Sequence, residues 1–351
     1  MARPRRRFVI GALLGVFVIL TITLRLGWEW KQALDNVDAM IVPVVELPTA
    51  TPAPAQQEAQ PVVIIPTTPQ PTPIPEPDAP INILLLGTDA RPGEKISRTD
   101  AVLVVRIDPK SDRVSMLSLP RDLWVEVPGH GEHKINAAYP IGESELGSGY
   151  GAALAKKTVG ELLDIPIHHF MLINFDGFKT LIDKLGGITI DIPEAIDDPK
   201  FPVGEFAGDN RTIKVHFDAG AQRLNGERAL IYARTRNPDS DFGRNQRQQQ
   251  VLLAIFDRVR EQGALSQLTS MDDYTSALRD YIRTDMTRSR MLSIASISPR
   301  LDEKSIQRYA IESDMIVELK KPATFVADPK ALKQLVNAMI GESVASRDDE
   351  S

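Results

Sequence analysis

The chain has 351 residues, a formal net charge of −6, 25% charged residues and no cysteine. Without cysteine there is no disulfide framework, no thiolate catalysis and no cysteine-based zinc site, and a chain of this length builds its core without such staples. The acidic balance excludes general nucleic-acid binding, which needs a broad basic face.

Arg3, Arg5, Arg6 and Arg7 precede FVIGALLGVFVILTITL, a run free of charge from Phe8 to Leu24. That run is near the lower limit for a spanning helix, and its flank extends it: Arg25 can snorkel, and Trp28 and Trp30 suit an aromatic belt. The reading is a transmembrane helix over 8–28, with a cytoplasmic tail at 1–7 and everything after residue 30 extracytoplasmic. A cleaved signal peptide needs a small-residue cleavage site, and Leu24-Arg25-Leu26-Gly27 is a poor one. Removing the four arginines of the tail takes the exported part to about −10. Residues 43–80 hold 12 of the 26 prolines and read as a linker in extended polyproline conformation. At ~3.1 Å per residue it would hold a domain up to ~100 Å from the bilayer.

The globular part starts at Ile81. INILLLG (81–87) reads as a buried strand, and AVLVVRID (101–108) with RVSMLSL (113–119) as a hairpin turning at DPKSD. Residues 149–165 have helical apolar spacing at Leu154, Val159, Leu162 and Leu163. A strand follows over 168–175, then a helix over 178–187 stopped by paired glycines, then a strand over 187–192. A short helix is expected over 225–234 with Asn225 as its cap, and a long amphipathic one over 241–263. Alternation of this kind predicts an α/β domain with a mixed central β-sheet flanked by helices, spanning 81–263. Residues 264–340, with helical pieces at 275–283 and 329–340 and a strand near 307–312, read as an extension packed on the same domain. The polar tail 341–351 reads as disordered.

The unusual feature is charge recurring in short clusters: GTDAR (87–91), SRTD (97–100), PRD (120–122), YARTR (232–236) and DFGRNQR (241–247). Arginine's planar fork matches phosphate oxygens, so such a set points to a polyanionic ligand. Interleaved aspartates serve either as partners for those arginines or as ligands for a hard cation such as Mg²⁺. If the first two strands are neighbours, Asp89, Arg91, Arg98 and Asp100 gather at one rim, where Arg98 and Asp100 equally well pair with each other. Arg121 and Asp122 follow a strand end. Arg234 and Arg236 leave the same face of an extended segment. Arg244, Arg247 and Gln248 share a helix face near an N-terminus, against the dipole preference, a local conflict typical of functional positions. His130, His133, His168, His169 and His216 lack zinc-ligand spacing, and no nucleophile elbow, Walker or dinucleotide glycine motif occurs. Lys134 and Asn136 in HKIN either reach a substrate or are loop residues, and the second reading is preferred.

The blocks GTDAR, SRTDAVLVV, SLPRDLWVEVPG, HKINAAY, IPIHHFMLINFDGFKTLIDKLGG, LNGERALIYARTR and DFGRNQRQQQ occur in order over 81–262. Together they closely resemble the LytR-CpsA-Psr family of bacterial envelope proteins. The proline-rich linker and the part beyond residue 264 depart from that pattern. The resemblance implies a membrane-anchored phosphotransferase that moves a glycopolymer from a polyprenyl-pyrophosphate carrier onto peptidoglycan, leaving a phosphodiester. It implies that Asp89 and Asp100 hold Mg²⁺ and that Arg91, Arg234, Arg236, Arg244, Arg247 and Gln248 bind the pyrophosphate. Arg121 joins them as a catalytic group, with Arg98 orienting Asp100 or reaching a phosphate, and Asp122 orienting Arg121 or taking the acceptor's proton. Two other classes use the same residues: a polyprenyl-pyrophosphate hydrolase, and a non-catalytic lipid binder that regulates the envelope.

Overall fold

The structure is a computed structural model that describes residues 31–47, 79–89, 97–203, 211–236, 240–297, 300–319 and 324–341. The expected membrane span over 8–28, Arg91, most of the proline-rich segment and the tail lie outside these residues. Among the described residues no helix is long and apolar enough to cross a membrane.

Helix α1 (31–40) precedes strands β1 (Ile81–Thr88), β2 (Thr99–Asp108), β3 (Arg113–Leu119), β4 (Trp124–Val127) and β5 (Gly131–Lys134). Next come α2 (Ala138–Ile141), α3 (Tyr150–Leu163), β6 (His169–Asn174), α4 (Phe175–Lys184) and β7 (Ile188–Ile192). Strands β8 (Ile196–Pro202), β9 (Thr212–Phe217) and β10 (Gly220–Leu224) lead to helices α5 (Gly226–Arg234) and α6 (Ser240–Leu278). The chain continues through β11 (Ile282–Thr284), α7 (Arg288–Ile297), β12 (Ile306–Ala310), β13 (Ile316–Glu318), β14 (Phe325–Ala327) and α8 (Pro329–Ile340). Two compact units result: residues 1–42 with 172–292, and residues 43–171 with 293–351.

In the second of these units β1, β2, β3 and β12 are successive neighbours, in that order, in a mixed sheet. β2 pairs antiparallel with β3, as the hairpin reading anticipates, and β1 pairs antiparallel with β2. β12 lies parallel to β3, which makes the sheet mixed. Seven or more consecutive half- or fully buried residues in each of β1 and β3 explain their mostly apolar sequences. The stretch after residue 293 supplies this edge strand as well as a covering helix. In α8, Leu332, Val336 and Met339 form the buried face, and the Asp328 side chain accepts from Ala331 N at 2.8 Å as its cap.

In the other unit β7 pairs with β10 and β8 with β9, both antiparallel. Ile182, Ile188, Ile190, Phe201, Phe217, Leu224 and Tyr232 form its core, and each such side chain stabilises the fold by about 1.5–3 kcal/mol when fully buried. Phe217 and Tyr232 meet edge to face at 5.4 Å. Helix α4 starts three residues before the expected position, because the Asn174 side chain caps it by accepting from Gly177 N at 2.8 Å. The paired glycines follow its end, with positive φ of 73° and 93°. Asn225 caps α5 as expected, accepting from Arg228 N at 2.9 Å. The helix expected over 241–263 and the first four residues of the one expected over 275–283 form one 39-residue helix, α6, and the rest of the second expectation gives way to a turn and strand β11. Helix α6 runs on through Gly263, since a single interior glycine costs only about 1 kcal/mol and no proline interrupts the segment.

Candidate functional site

In the unit that holds β1 to β3, charge collects where β1 and β3 end and β2 begins. The β1–β2 register pairs Gly87 with Ala101 and Thr88 with Thr99, so Asp100 is the extra residue of a β-bulge. A bulge re-aims its side chain and interrupts the ladder locally. The first glycine of the GTDAR block is required by this approach: a Cβ at Gly87 would stand 3.0 Å from Ala101 Cβ. Asp89, half-buried, follows the last pair of β1, and exposed Arg98 precedes β2. Both therefore stand at the rim that carries Asp100, as the sequence anticipates for neighbouring strands.

Asp100 has a different partner from the one offered by sequence proximity. Its Oδ1 accepts from Arg121 Nη1 at 2.7 Å, so Arg121 and not Arg98 holds it. Arg121 Nε stands 3.6 Å from Asp122 Oδ2, and Lys134 Nζ donates to Asp122 Oδ1 at 2.8 Å. The result is an alternating row, Asp100–Arg121–Asp122–Lys134, with side chains 34%, 18%, 20% and 30% exposed. These groups are seated in protein yet open to a ligand. Backbone bonds position the row: Leu123 N donates to Pro120 O at 3.0 Å, closing a turn, and Ile135 N donates to Leu123 O at 2.8 Å. The β4–β5 register sets Trp124 opposite Lys134, which brings the lysine back to Asp122. Reading Lys134 as an ordinary loop residue is therefore corrected. Its only sequence signal was the HKIN block, and the hairpin that returns it is a tertiary feature.

The other unit carries the remaining arginines. Arg234 is the last residue of α5, and Thr235 leaves the helix with ψ of 143°. The expectation that Arg234 and Arg236 project from one face of an extended segment is overturned, because they straddle a helix end. Arg234 lies over the Phe175 ring at 4.7 Å and the Phe201 ring at 5.2 Å, a cation–π seat. Arg236 is exposed. Arg244 and Arg247 are only 3% and 4% exposed, near the start of α6. The helix begins at Ser240, which moves Arg244 beyond the first turn, where the dipole is strongest. Arg247 Nη2 donates to Thr235 O at 2.7 Å, and Gln248 Nε2 reaches Ala233 O at 3.5 Å. Thr235, fully buried, donates through Oγ1 to Asp198 Oδ2 at 2.9 Å. Asp198, 5% exposed, also accepts from Lys200 N at 3.1 Å. Sequence reasoning missed Asp198: it sits in AIDDPKFP, whose pairing with β9 no local pattern reports.

Among the described residues no three His, Asp or Glu side chains gather into a metal-holding group. The donor set at the β1–β2 rim is two hard carboxylates, which suits Mg²⁺ completed by waters and substrate phosphate and does not suit Zn²⁺.

The sequence profile of the LytR_cpsA_psr family matches residues 52–341. The polyisoprenyl-teichoic acid–peptidoglycan teichoic acid transferase TagU of Oceanobacillus iheyensis is 36% identical over 216 residues, 61% of each chain. TagV of Bacillus subtilis, a transferase of the same description, is 33% identical over 264 residues, 73% of this chain and 63% of its own. The crystal structure of TagV superposes with a TM-score of 0.58 and 29% identity over 76% of this chain and 99% of that one. A structure of TagT bound to LI-WTA matches with a TM-score of 0.57 and 25% identity over 76% and 93%. The chain spans under two thirds of the length of TagU and TagV. It belongs to the LytR_cpsA_psr family.

Proposed function

We propose that this family member is a cell-envelope transferase that moves a glycopolymer from a polyprenyl-pyrophosphate carrier to a hydroxyl of peptidoglycan. The reading is supported most by the row Asp100–Arg121–Asp122–Lys134, which sets two cations and two carboxylates at the end of the central strands. It is also supported by the names of TagU and TagV, which are transferases from a polyisoprenyl carrier to peptidoglycan. Residues 8–28 are proposed to anchor the chain in the membrane, with the folded units on the extracytoplasmic side.

In the proposed reaction the acceptor hydroxyl oxygen attacks the phosphorus that bears the sugar. The bond from that phosphorus to the bridging oxygen breaks, polyprenyl phosphate leaves with the electron pair, and the hydroxyl proton passes to solvent or to the departing phosphate. Such a transfer asks the protein for in-line positioning and charge neutralisation, not for a covalent intermediate. Arg121 and Lys134 meet the charge growing on the leaving phosphate. Arg98, exposed at the same rim, contacts phosphate there. Asp122 has one oxygen on Lys134 and the other toward Arg121, which makes it a positioning residue. Arg91, Arg234, Arg236, Arg244, Arg247 and Gln248 are proposed to bind the pyrophosphate. Asp89 and Asp100 are proposed to hold Mg²⁺, which when bound neutralises phosphate charge.

The test incubates protein lacking residues 1–30 with Mg²⁺, a synthetic polyprenyl-pyrophosphate oligosaccharide and a peptidoglycan fragment. Mass spectrometry should find the phosphodiester conjugate with polyprenyl phosphate, and Arg121→Ala should abolish both. Phosphorylated sugar without conjugate, across several acceptors, would establish the hydrolase in its place. Retained lipid without turnover would establish a binder.

A further inference from the structure

Helix α1 is docked, and it stands on the membrane side of the proline-rich segment. Ala33, Asn36, Val37 and Met40 are at most 9% exposed, while Lys31, Gln32, Asp35, Asp38 and Ala39 face solvent. The spacing is that of one buried helix face. Its partners belong to its own compact unit. Asn36 Nδ2 donates to Asp272 Oδ1 at 3.2 Å, and Arg279 Nη1 donates to Asn36 Oδ1 at 3.3 Å, so both ends of one amide are held by α6 and the turn after it. Arg288 Nη2 stands 3.5 Å from Asp38 Oδ2. Past the helix, Val42 N donates to Thr284 O at 2.8 Å, and Ile41 bridges Thr284 in parallel. Three independent attachments fix the register of this segment on the unit.

The sequence ends the spanning segment at residue 28, three residues before Lys31, the first described residue of the docked helix. Three residues reach at most ~11 Å. The prolines of 43–80 all come after the docked helix, so their reach does not set the distance to the bilayer.

We infer that α1 seats the unit formed by residues up to 42 and 172–292 directly against the outer surface of the lipid bilayer, and that the proline-rich segment joins two folded parts of the chain instead of tethering them. The inference rests on the proposed anchor at 8–28. It has a functional consequence under the proposed reaction. The pyrophosphate of a lipid-linked donor lies at headgroup level, and this is the unit that carries Arg234, Arg236, Arg244 and Arg247.

The experiment uses the full chain in right-side-out bacterial membrane vesicles, with a protease site inserted between Gln57 and Glu58. After cleavage without detergent, the large C-terminal fragment should sediment with the membranes as completely as uncut protein. Since the natural chain has no cysteine, Asn36→Cys with Asp272→Cys reports the docking directly. A short bismaleimide should join the two cleaved fragments into one band on a denaturing gel, and neither single variant should do so. Release of the large fragment into the supernatant, with the small one left in the pellet, would overturn the inference. So would a fragment that sediments but never cross-links although both thiols react with a monofunctional maleimide. Uncut protein found in the supernatant would remove the anchor itself, a failure distinct from loss of docking.

Discussion

Two groups of arginines stand in opposite surroundings. Arg121 lies in a row of partly exposed charges, its side chain 18% exposed and matched to Asp100 and Asp122. Arg244 and Arg247 are 3% and 4% exposed, and Arg247 is bonded to the backbone of the segment that follows α5. Partly exposed pairs contribute about 0–1 kcal/mol to folding, because water screens them and side-chain entropy opposes them. A buried guanidinium is different: low local dielectric strengthens each of its contacts and penalises the loss of any. The first group is therefore free to be used in chemistry at little structural cost. The second belongs to the architecture as much as to any ligand.

The strongest way to break this contrast is Arg121→Ala. Turnover should fall about 100- to 1,000-fold, the scale for losing one preorganised donor to developing charge. Retention of a labelled lipid-linked donor should fall much less, and the melting temperature should hardly move. A collapse of the fold instead would erase the distinction. Next is Arg247→Met, which should cost about 2–3 kcal/mol, read as a drop of roughly 5–10 °C in melting temperature. Thr235→Val removes the donor to Asp198 at similar shape and should cost about 1–2 kcal/mol, again visible in thermal unfolding. Lys134→Ala sharpens the first half of the comparison: turnover should drop about tenfold with an unchanged melting temperature, since a half-exposed pair stabilises little.

The smallest effect concerns His216, an exposed residue bonded to Asp197 at 2.7 Å and to Asp218 at 3.1 Å. The hydrogen bond to Asp197, and then the one to Asp218, raise its pKa above the ordinary imidazole value of 6.5. A raised folded value means that its contribution to stability is fully present below the unfolded value and is lost as pH rises through the folded one. An NMR titration should find its midpoint above the ordinary histidine value, and Asp197→Asn should lower it, with the Asp218 bond still holding it up. A midpoint unmoved by that change would remove the assigned cause.

Much of the fold was legible in the chain. Apolar-rich runs marked β1, β2 and β3, the Asp-Pro-Lys-Ser-Asp turn marked the hairpin between the last two, and Asn225 marked the start of α5. These signals are local, since burial on both faces or a missing cap partner acts on residues near in sequence. Helix limits were less legible. The helix expected to end at 263 runs on to Leu278, since a lone glycine costs too little to end a helix. The pair Arg234 and Arg236 shares one face only if the segment is extended, and Arg234 instead closes α5, the helix expected over 225–234.

The sequence by itself determined the chemistry available: clustered arginines with interleaved aspartates, in blocks whose order identifies the family. It also determined which strands are buried, because apolar continuity is a property of each strand alone. Only the tertiary structure decided the partners. Asp100 goes to Arg121 through a bulge and two strand registers, Lys134 returns to Asp122 through a hairpin, and Asp198 meets Thr235 from 37 residues away. It likewise decided that α1 belongs to the folded unit and not to a tether. The physical reason is the same in each case: a side chain's type fixes what it can bond, but its partner depends on backbone register summed over distant segments, which no local window contains.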